Sequence, residues 1–178
     1  MTGDPPLAGA GGPRIVVMGV SAAGKSSVAS GLAARLGTRW VDADDLHPAA
    51  NIEKMAEGIP LEDEDRWPWL DDVAARIEAE SRAGGIVVAC SALRRVYRDR
   101  MRARAAGLVF VHLVGSRELL ARRAVLREGH FMPASLLDTQ LNTLEPLDSD
   151  ETGFALDVSG TVQEIVDEAV ERYAQHAS

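Results

Sequence analysis

The sequence predicts an α/β fold in which a parallel five-stranded sheet carries helices on both faces. Short runs of almost continuous apolar residues alternate with longer amphipathic segments along the chain. Apolar runs of this kind are typical of strands buried on both faces, and their alternation with helices is typical of parallel sheets. A chain of 178 residues that is 46% hydrophobic is long enough for one domain with a substantial core.

Local patterns predict the individual elements. Apolar runs predict five strands, over residues 15–19, 39–42, 85–91, 108–115 and 154–159. Amphipathic segments predict the helices, over residues 25–37, 48–58, 68–83, 92–106, 116–127, 133–143 and 161–175. Gly37 is typical of a residue that closes a helix, and Pro48 and Pro68 are typical of residues that open one.

The first residues of the chain differ from the rest. Residues 1–13 are rich in glycine and proline, contain no basic residue and lack the apolar run of a signal peptide or a transmembrane helix. We expect them to be a disordered lead-in, and residues 14–178 to form a single domain.

Composition excludes several classes of protein. Lys and Arg number 19 against 27 Asp and Glu, so the net charge of −8 argues against a protein that binds nucleic acid. The single cysteine, Cys90, excludes an internal disulfide and a CxxC motif, which is compatible with a reducing cytoplasm. We expect a cytoplasmic protein with neither a nucleic acid nor a membrane as its partner, and Cys90 buried in its strand.

A phosphate-binding motif lies at the first junction between a strand and a helix. The segment GVSAAGKS, residues 19–26, fits the pattern G-x-x-x-x-G-K-[ST], which predicts a fold of the P-loop NTPase type. In such a loop, backbone N–H groups and the helix N-terminus hold phosphates, Lys25 reaches the outer phosphates, and the Ser26 hydroxyl can ligate Mg²⁺. We expect this segment to bind ATP through Gly19, Val20, Ser21, Ala22, Ala23, Gly24, Lys25, Ser26 and Ser27.

Carboxylates beside this motif come from the second strand. P-loop enzymes usually carry an apolar strand that ends in an aspartate, but the third and fourth predicted strands do not end that way. The second strand continues into VDADDLHP, where Asp42 and Asp44 point to one face if the chain stays extended. We expect Asp42 to bind the metal with Ser26, and Asp44 to accept the proton of an incoming hydroxyl. Asp45 has no expected role.

The helix after this block presents polar residues on one side. If the helix begins at Pro48, then His47, Asn51 and either Lys54 or Met55 share a face that looks back at the aspartates. Such a face suits a ligand with many hydroxyl groups.

Basic residues predict a further part of the site. Arg123 and Arg127 are i, i+4 neighbours just before the segment EGHFMP, which Gly129 and Pro133 bracket as they would a mobile loop. An arginine-bearing helix followed by a short lid is how small kinases cover a triphosphate and exclude water. We expect Arg123 and Arg127 to bind the nucleotide, with a lid at about residues 127–134.

Four segments of the chain resemble the gluconokinase family of small P-loop kinases. They are MGVSAAGKS, DADDLHPAANIEKMAEGIPLEDEDRWPWL, CSALRRVYRDRMR and GHFMPASLLDTQLNTLEP, and the resemblance spans about residues 15–158. It implies phosphorylation of D-gluconate at its 6-hydroxyl by ATP and Mg²⁺, which gives 6-phosphogluconate and ADP. It also implies a cytoplasmic homodimer.

The same resemblance implies roles for individual residues. The residues expected to contact gluconate are Asp44, His47, Asn51, Lys54, Arg66, Arg94 and His130. The expected catalytic residues are Lys25, Asp44 and Arg94. Arg127 and His130 would lie in the lid. This chain departs from the family pattern at Ala22 and Ala23, where a Gly-Ser pair is common, and at Arg94, where lysine is frequent.

Two alternatives share these features. Another small-metabolite kinase, for shikimate, adenylylsulfate or a nucleotide, would have the same P-loop and lid. A non-catalytic nucleotide-dependent switch would have the P-loop, but it gives no reason for the DxD block and the polar helix face together.

Overall fold

The computed structural model describes residues 11–126 and 134–177, which form one five-stranded sheet with helices on both sides. In chain order the elements are β1 (Arg14–Met18), α1 (Lys25–Leu36), β2 (Arg39–Asp42), a 3₁₀ turn (Ala43–Leu46), α2 (Ala49–Ala56), α3 (Asp63–Arg82), β3 (Ile86–Ala89), α4 (Arg95–Arg104), β4 (Val109–Val114), α5 (Arg117–Leu126), α6 (Ala134–Thr143), β5 (Gly153–Asp157) and α7 (Val162–His176). The predicted parallel sheet is confirmed.

The strand order is β2-β3-β1-β4-β5, and every neighbouring pair is parallel. In the register of the sheet, Ala89 of β3 pairs with Val17 of β1 on one side and with Asp42 of β2 on the other. The carboxyl ends of these three strands therefore meet at one edge of the sheet. Ligands of open α/β sheets bind at such an edge, where the chain order changes direction.

Alternate residues of β1 face two separate cores, as the two-residue period of a strand requires. Ile15 and Val17 pack in the core that contains α1 and α7, whereas Val16 and Met18 pack in the core that contains α3 and α4. All four side chains are fully buried. The central strand is thus fixed on both faces, which makes the loop after it a rigid base for a binding site.

Two differences from the sequence prediction affect the site. Helix α3 begins at Asp63 rather than Pro68, because Glu62 and Asp65 form a capping box that starts the helix earlier and leaves the proline inside it. The chain also does not stay extended after β2. Asp42 accepts a hydrogen bond from the Asp44 amide, and this interaction caps a 3₁₀ turn.

Within the described parts of the chain, no helix is both long and apolar enough to cross a membrane. Cys90 is buried as expected, and burial raises the pKa of its thiol to about 12. The predicted lead-in falls largely on residues 1–10, which lie outside the described residues, as does most of the predicted lid.

Candidate active site

The loop between β1 and α1 has the backbone that a phosphate cradle needs. Gly19 has φ 151°, and a Cβ there would lie 3.0 Å from the carbonyl oxygen of Leu113. Gly24, directly before α1, has φ 92°. Ala22 also takes a positive φ, of 67°, which costs a non-glycine residue roughly 1 kcal/mol.

This loop opens into a cleft of about 320 Å³ at the carboxyl ends of the strands. Its lining residues are Ser21, Ala22, Gly24, Lys25, Ser26, Ser27, Asp42, Asp44, Ala89, Ser91, Arg123 and Gln140. Of the remaining loop residues named from the sequence, Val20 and Ala23 bury their side chains in the core. The Val20 carbonyl oxygen accepts a hydrogen bond from Lys25 Nζ at 3.0 Å, so it holds the lysine at the mouth of the loop.

Asp42 joins the loop to the second strand. Its Oδ2 accepts a hydrogen bond from Ser26 Oγ at 3.0 Å, and its Oδ1 accepts one from the Asp44 amide at 3.0 Å. A hydroxyl and a carboxylate are oxygen donors of the kind that Mg²⁺ prefers. Among the described residues, no group of three or more His, Cys, Asp or Glu could hold a metal ion by itself. This donor set fits Mg²⁺, which binds one or two carboxylates together with phosphate oxygens.

Asp44 lies across the cleft from Lys25 at the start of the 3₁₀ turn. Its pKa is raised, first because the surrounding protein reduces solvation of the carboxylate, and then because the Asp42 carboxylate repels a second negative charge. His47 and Lys25 act in the opposite direction. The carboxylate is solvent-accessible from the open side of the cleft, so an incoming hydroxyl group can reach it.

Trp69 of α3 packs against the 3₁₀ turn and holds it in place. The Trp69 indole donates a hydrogen bond to the Ala43 carbonyl oxygen at 2.7 Å, and its ring stacks on the His47 imidazole with centroids 4.1 Å apart. His47 Nε2 lies 3.9 Å from an Asp44 carboxylate oxygen. Burial lowers the pKa of His47, so the imidazole is neutral at pH 7. Trp69 thus ties the turn to helix α3.

Two residues of the predicted polar face make structural contacts. Asn51 is buried, lies 3.2 Å from His47 Nδ1, and donates a hydrogen bond to the Asp65 carbonyl oxygen. Lys54 Nζ lies 2.8 Å and 2.9 Å from the two carboxylate oxygens of Asp65. The structure therefore brings His47 to the aspartates, but it does not bring Lys54 into the cleft.

A cluster of arginines lies beyond His47, away from the P-loop. Arg66 and Arg94 both contact Asp63 and Tyr97. Two members of this cluster, Asp63 and Arg66, belong to α3, and the other two lie at the start of α4. The positive charge of Arg66 contributes to the lowered pKa of His47, so the cluster is electrostatically coupled to the cleft. Neither arginine lines the cleft beside the P-loop.

Comparison with known proteins decides the family. Residues 15–147 match a protein-family profile described as an AAA domain. The chain is 52% identical over 141 residues to the gluconokinase of Gluconobacter oxydans (strain 621H), an alignment that covers 78% of this chain and 79% of that protein. The chain belongs to the gluconokinase family.

Two further members of the gluconokinase family support the assignment. The thermosensitive gluconokinase of Escherichia coli (strain K12) is 43% identical over 143 residues, which cover 79% of this chain and 75% of that one. The crystal structure of a gluconokinase from Sinorhizobium meliloti 1021 superposes with a TM-score of 0.84 at 49% identity and covers 93% of both chains. The resemblance seen in the sequence is thus confirmed, and the protein is a kinase with a nucleotide-binding P-loop.

The structure of this gluconokinase-family chain unites some predicted site residues and separates others. The P-loop, Asp42, Asp44 and Arg123 line one cleft. Arg123 also donates a hydrogen bond to the Val158 carbonyl oxygen, which ties α5 to the end of β5. Arg127 and His130 lie outside the described residues.

Four residues around the site were missed by the sequence reasoning. Ser91 lines the cleft directly after β3, and its place at the carboxyl end of a parallel strand was a usable signal. Gln140 accepts a hydrogen bond from the Ser21 amide at 2.6 Å, although it lies 119 residues away in sequence. Asp63 and Tyr97 connect the two arginines. No local pattern marks these last three residues, because their roles come from packing between distant helices.

Proposed function

We propose that this protein is a gluconokinase that transfers the γ-phosphoryl group of ATP to the 6-hydroxyl of D-gluconate, which yields 6-phosphogluconate and ADP. The observation that carries the proposal is the position of Asp44. This carboxylate shares one cleft with Lys25 and Ser26, so a phosphate chain on the P-loop and a hydroxyl at Asp44 would face each other. We infer that the substrate is gluconate from membership of the gluconokinase family.

The phosphate side of the reaction falls to the P-loop. Its backbone amides and the N-terminus of α1 would hold the β- and γ-phosphates, and Lys25 would turn from the Val20 carbonyl oxygen to a phosphate oxygen. Ser26 and Asp42 would bind Mg²⁺, which neutralises phosphate charge when it is bound. Arg123 would supply a further positive charge at the same cleft. We expect these groups to position ATP and to stabilise the charge that develops during transfer.

The acceptor side falls to Asp44. Phosphoryl transfer to an alcohol joins the hydroxyl oxygen to the γ-phosphorus, breaks the bond between that phosphorus and the bridging oxygen, and releases the hydroxyl proton. Asp44 would accept this proton, and its raised pKa makes the carboxylate a better base than an ordinary aspartate. His47, stacked on Trp69 and neutral, would fix the direction of the carboxylate from 3.9 Å away.

Recognition of gluconate would involve the residues beyond Asp44. Arg66 and Arg94 would bind its carboxylate or stabilise transferred charge, and Asn51 would keep His47 in place. Lys54 would have to leave Asp65 to reach the substrate. We retain Arg127 and His130 as proposed lid residues on the basis of the sequence, within a lid at about residues 127–134.

We also propose that the protein is a homodimer and that it acts in the cytoplasm. The dimer follows from the family resemblance, and size-exclusion chromatography with light scattering tests it. A single free thiol, Cys90, is compatible with a reducing compartment.

A substrate panel tests the function. Purified protein with Mg-ATP should form ADP in proportion to added gluconate, and far less with shikimate, glucose or a nucleoside monophosphate. Chelation of Mg²⁺ should abolish the reaction. ADP release that does not depend on gluconate would contradict the proposal, and faster turnover of shikimate would point to the alternative kinase.

A further inference from the structure

Arg66 and Arg94 are joined by two residues to which no role has been assigned, Asp63 and Tyr97. The Tyr97 hydroxyl donates a hydrogen bond to Asp63 Oδ1 at 2.6 Å, and Arg94 Nη1 donates one to Asp63 Oδ2 at 2.9 Å. Arg66 Nη1 donates to the Tyr97 hydroxyl oxygen at 3.3 Å and lies 3.7 Å from Asp63 Oδ1. Asp63 and Tyr97 together therefore contact both guanidinium groups.

The cluster brings together two elements that begin at the same end of the sheet. Asp63 and Arg66 belong to the first turns of α3, whereas Arg94 is the residue before α4 and Tyr97 lies in its first turn. Arg94 follows the loop after β3 that contributes Ser91 to the cleft. The cluster thus lies close enough to His47 for the charge of Arg66 to act on it, and its residues are not among those that line the cleft beside the P-loop.

The charges of the cluster require a partner between the two arginines. Two guanidinium groups that share one site repel each other, and a carboxylate between them offsets that repulsion. The hydrogen bond from Tyr97 and the charge of Arg94 hold the pKa of Asp63 below its usual range, so Asp63 is ionised at neutral pH. Both guanidinium carbons also lie 5.5 Å from the centroid of the Tyr97 ring, a distance at which cation–π attraction acts.

Exposure separates Tyr97 from the rest of the cluster, because the Asp63 side chain, at 35%, is as exposed as the two arginines. Tyr97 is 6% exposed and belongs to the core between α3 and α4. The side chains of Arg66 and Arg94 are 32% and 36% exposed, so their outer N–H groups can reach a ligand. With Asp63 included, the cluster keeps one positive charge in excess. That excess matches a ligand that carries one carboxylate.

We propose that Asp63 and Tyr97 are positioning residues that hold Arg66 and Arg94 together as a subsite for the single carboxylate of the substrate. The proposal rests on the proposed function, because it assigns the end of gluconate that is farthest from the reacting hydroxyl. Asp63 acts through the arginines and does not touch the reacting atoms. Tyr97 fixes Asp63 through its hydroxyl and both arginines through its ring.

Kinetics of two conservative variants test the proposal. Asp63→Asn keeps the size of the side chain and removes its charge, and Tyr97→Phe keeps the ring and removes the hydroxyl. Loss of one charge-assisted contact predicts that KM for gluconate rises about tenfold in Asp63→Asn and about threefold in Tyr97→Phe. In both variants kcat and KM for ATP should change by less than about twofold, since the proposal gives the two arginines the binding of the carboxylate and not the stabilisation of the transferred charge. The preference for gluconate over the uncharged gluconamide, as a ratio of kcat/KM, should fall in parallel.

Asp71→Asn is the matched control. Asp71 lies on helix α3, as Asp63 does, and bridges Arg100 and Arg104 of α4 with nitrogen–oxygen distances of 2.7 Å, but it does not line the cleft. Its variant should change the melting temperature without changing the preference for gluconate over gluconamide.

The outcomes separate this inference from the proposed function. A wild-type protein that does not phosphorylate gluconate overturns the proposed function. A gluconate-dependent wild type overturns only the inference if KM for gluconate falls in Asp63→Asn, or if the two substrates lose kcat/KM equally. The first result would mean that Asp63 competes with the substrate carboxylate, and the second that the cluster only stabilises the fold.

Discussion

Three aspartates follow one another closely at the end of β2, and their surroundings give each a different chemistry. Asp42 is bound to Ser26 Oγ and to a backbone amide. Asp44 lines the cleft and has a raised pKa. Asp45 is exposed, and it is not among the residues that line the cleft. A difference of one position in the chain therefore separates a carboxylate that lines the cleft from one that does not.

Replacement of Asp44 tests its proposed role. In Asp44→Asn the side chain keeps its size but cannot accept the hydroxyl proton, so kcat should fall on the order of 100-fold or more. The dissociation constant for Mg-ATP, measured by calorimetry, should change little, because the P-loop is intact. Asp45→Asn is the control and should retain wild-type kcat. Full activity in Asp44→Asn would show that the proton goes elsewhere.

The pH dependence of the reaction offers a second test at this residue. Asp44 accepts a proton only when it is ionised, so kcat/KM should fall as the pH is lowered through its pKa. Because that pKa is raised, the fall should begin at a higher pH than for an ordinary aspartate. The residual activity of Asp44→Asn should lack this acidic limb. If the fall of kcat/KM at low pH persists unchanged in Asp44→Asn, it arises from the titration of another residue.

Residues of the site could be predicted from the sequence where their contacts are local. The P-loop follows β1, and Asp42 and Asp44 lie at and just after the end of β2, so spacing along the chain was enough to predict that they line one cleft. The expected geometry of Asp44 was still wrong, because a hydrogen bond between the Asp42 carboxylate and the Asp44 amide replaces the extended chain with a turn. Gln140 could not be predicted, since its partner Ser21 lies 119 residues away in the sequence.

At the scale of elements, two acidic residues set the start of α3, and the start that Pro68 predicted was wrong. Pro68 is typical of a helix start, but Asp65 accepts a hydrogen bond from the Glu62 amide and completes a capping box that begins the helix at Asp63, five residues earlier. The added turns of α3 carry Asp63 and Arg66. The arginine cluster therefore exists because the helix begins where this cap places it.

The loop before β5 is joined to α4 by a buried ion pair. Arg98 Nε and Glu151 Oε1 are 2.7 Å apart, and both side chains are fully buried. Arg98 also donates to the carbonyl oxygens of Ala92 and Pro146. Burial alone would raise the pKa of Glu151, but hydrogen bonds from Arg98, the Asp148 amide and Arg102 outweigh it and lower that pKa to about 2.

Glu151→Gln should therefore be strongly destabilising. The substitution leaves the Arg98 charge buried without a counter-charge, which costs about 3–5 kcal/mol of unfolding free energy. Denaturation in urea measures the change. Asp150→Asn serves as the comparison, because Asp150 bonds Arg95 at the exposed surface and its loss should cost about 1 kcal/mol or less. Similar costs for the two variants would contradict the argument.

At the scale of the whole molecule, the sequence predicts the class of sheet but not its strand order. Apolar runs identify five strands, yet the order β2-β3-β1-β4-β5 depends on which faces the helices cover, and these contacts join distant parts of the chain. That order places β2 and β1 on either side of β3, so the carboxylates of β2 and the P-loop after β1 reach one cleft. The P-loop and the two aspartates therefore meet because of the strand order of the sheet, and no single motif predicts their meeting.

Acid should destabilise the whole fold through His112, which lies in β4 on the face of the sheet toward Arg98. His112 is 3% exposed, and its Nε2 has no hydrogen-bond partner among the described residues. Burial, and then the charge of Arg98, lower the pKa of the imidazole from 6.5 to about 4. The unfolded chain binds a proton between these two values and the folded protein does not, so stability falls as the pH drops from about 6.5 to about 4.

That difference corresponds to roughly 3 kcal/mol of unfolding free energy at the lower end of the range. In His112→Leu, which replaces the imidazole with an apolar side chain of similar size, the melting temperature should depend less on pH between 6.5 and 4. His176→Ala removes an exposed histidine at the end of α7 and should keep the wild-type dependence. Equal pH dependence in His112→Leu and the wild type would assign the loss of stability to carboxylates. Glu151 acts only below about pH 4.5, where its folded pKa of about 2 lies under its unfolded value, so its contribution begins where that of His112 is nearly complete.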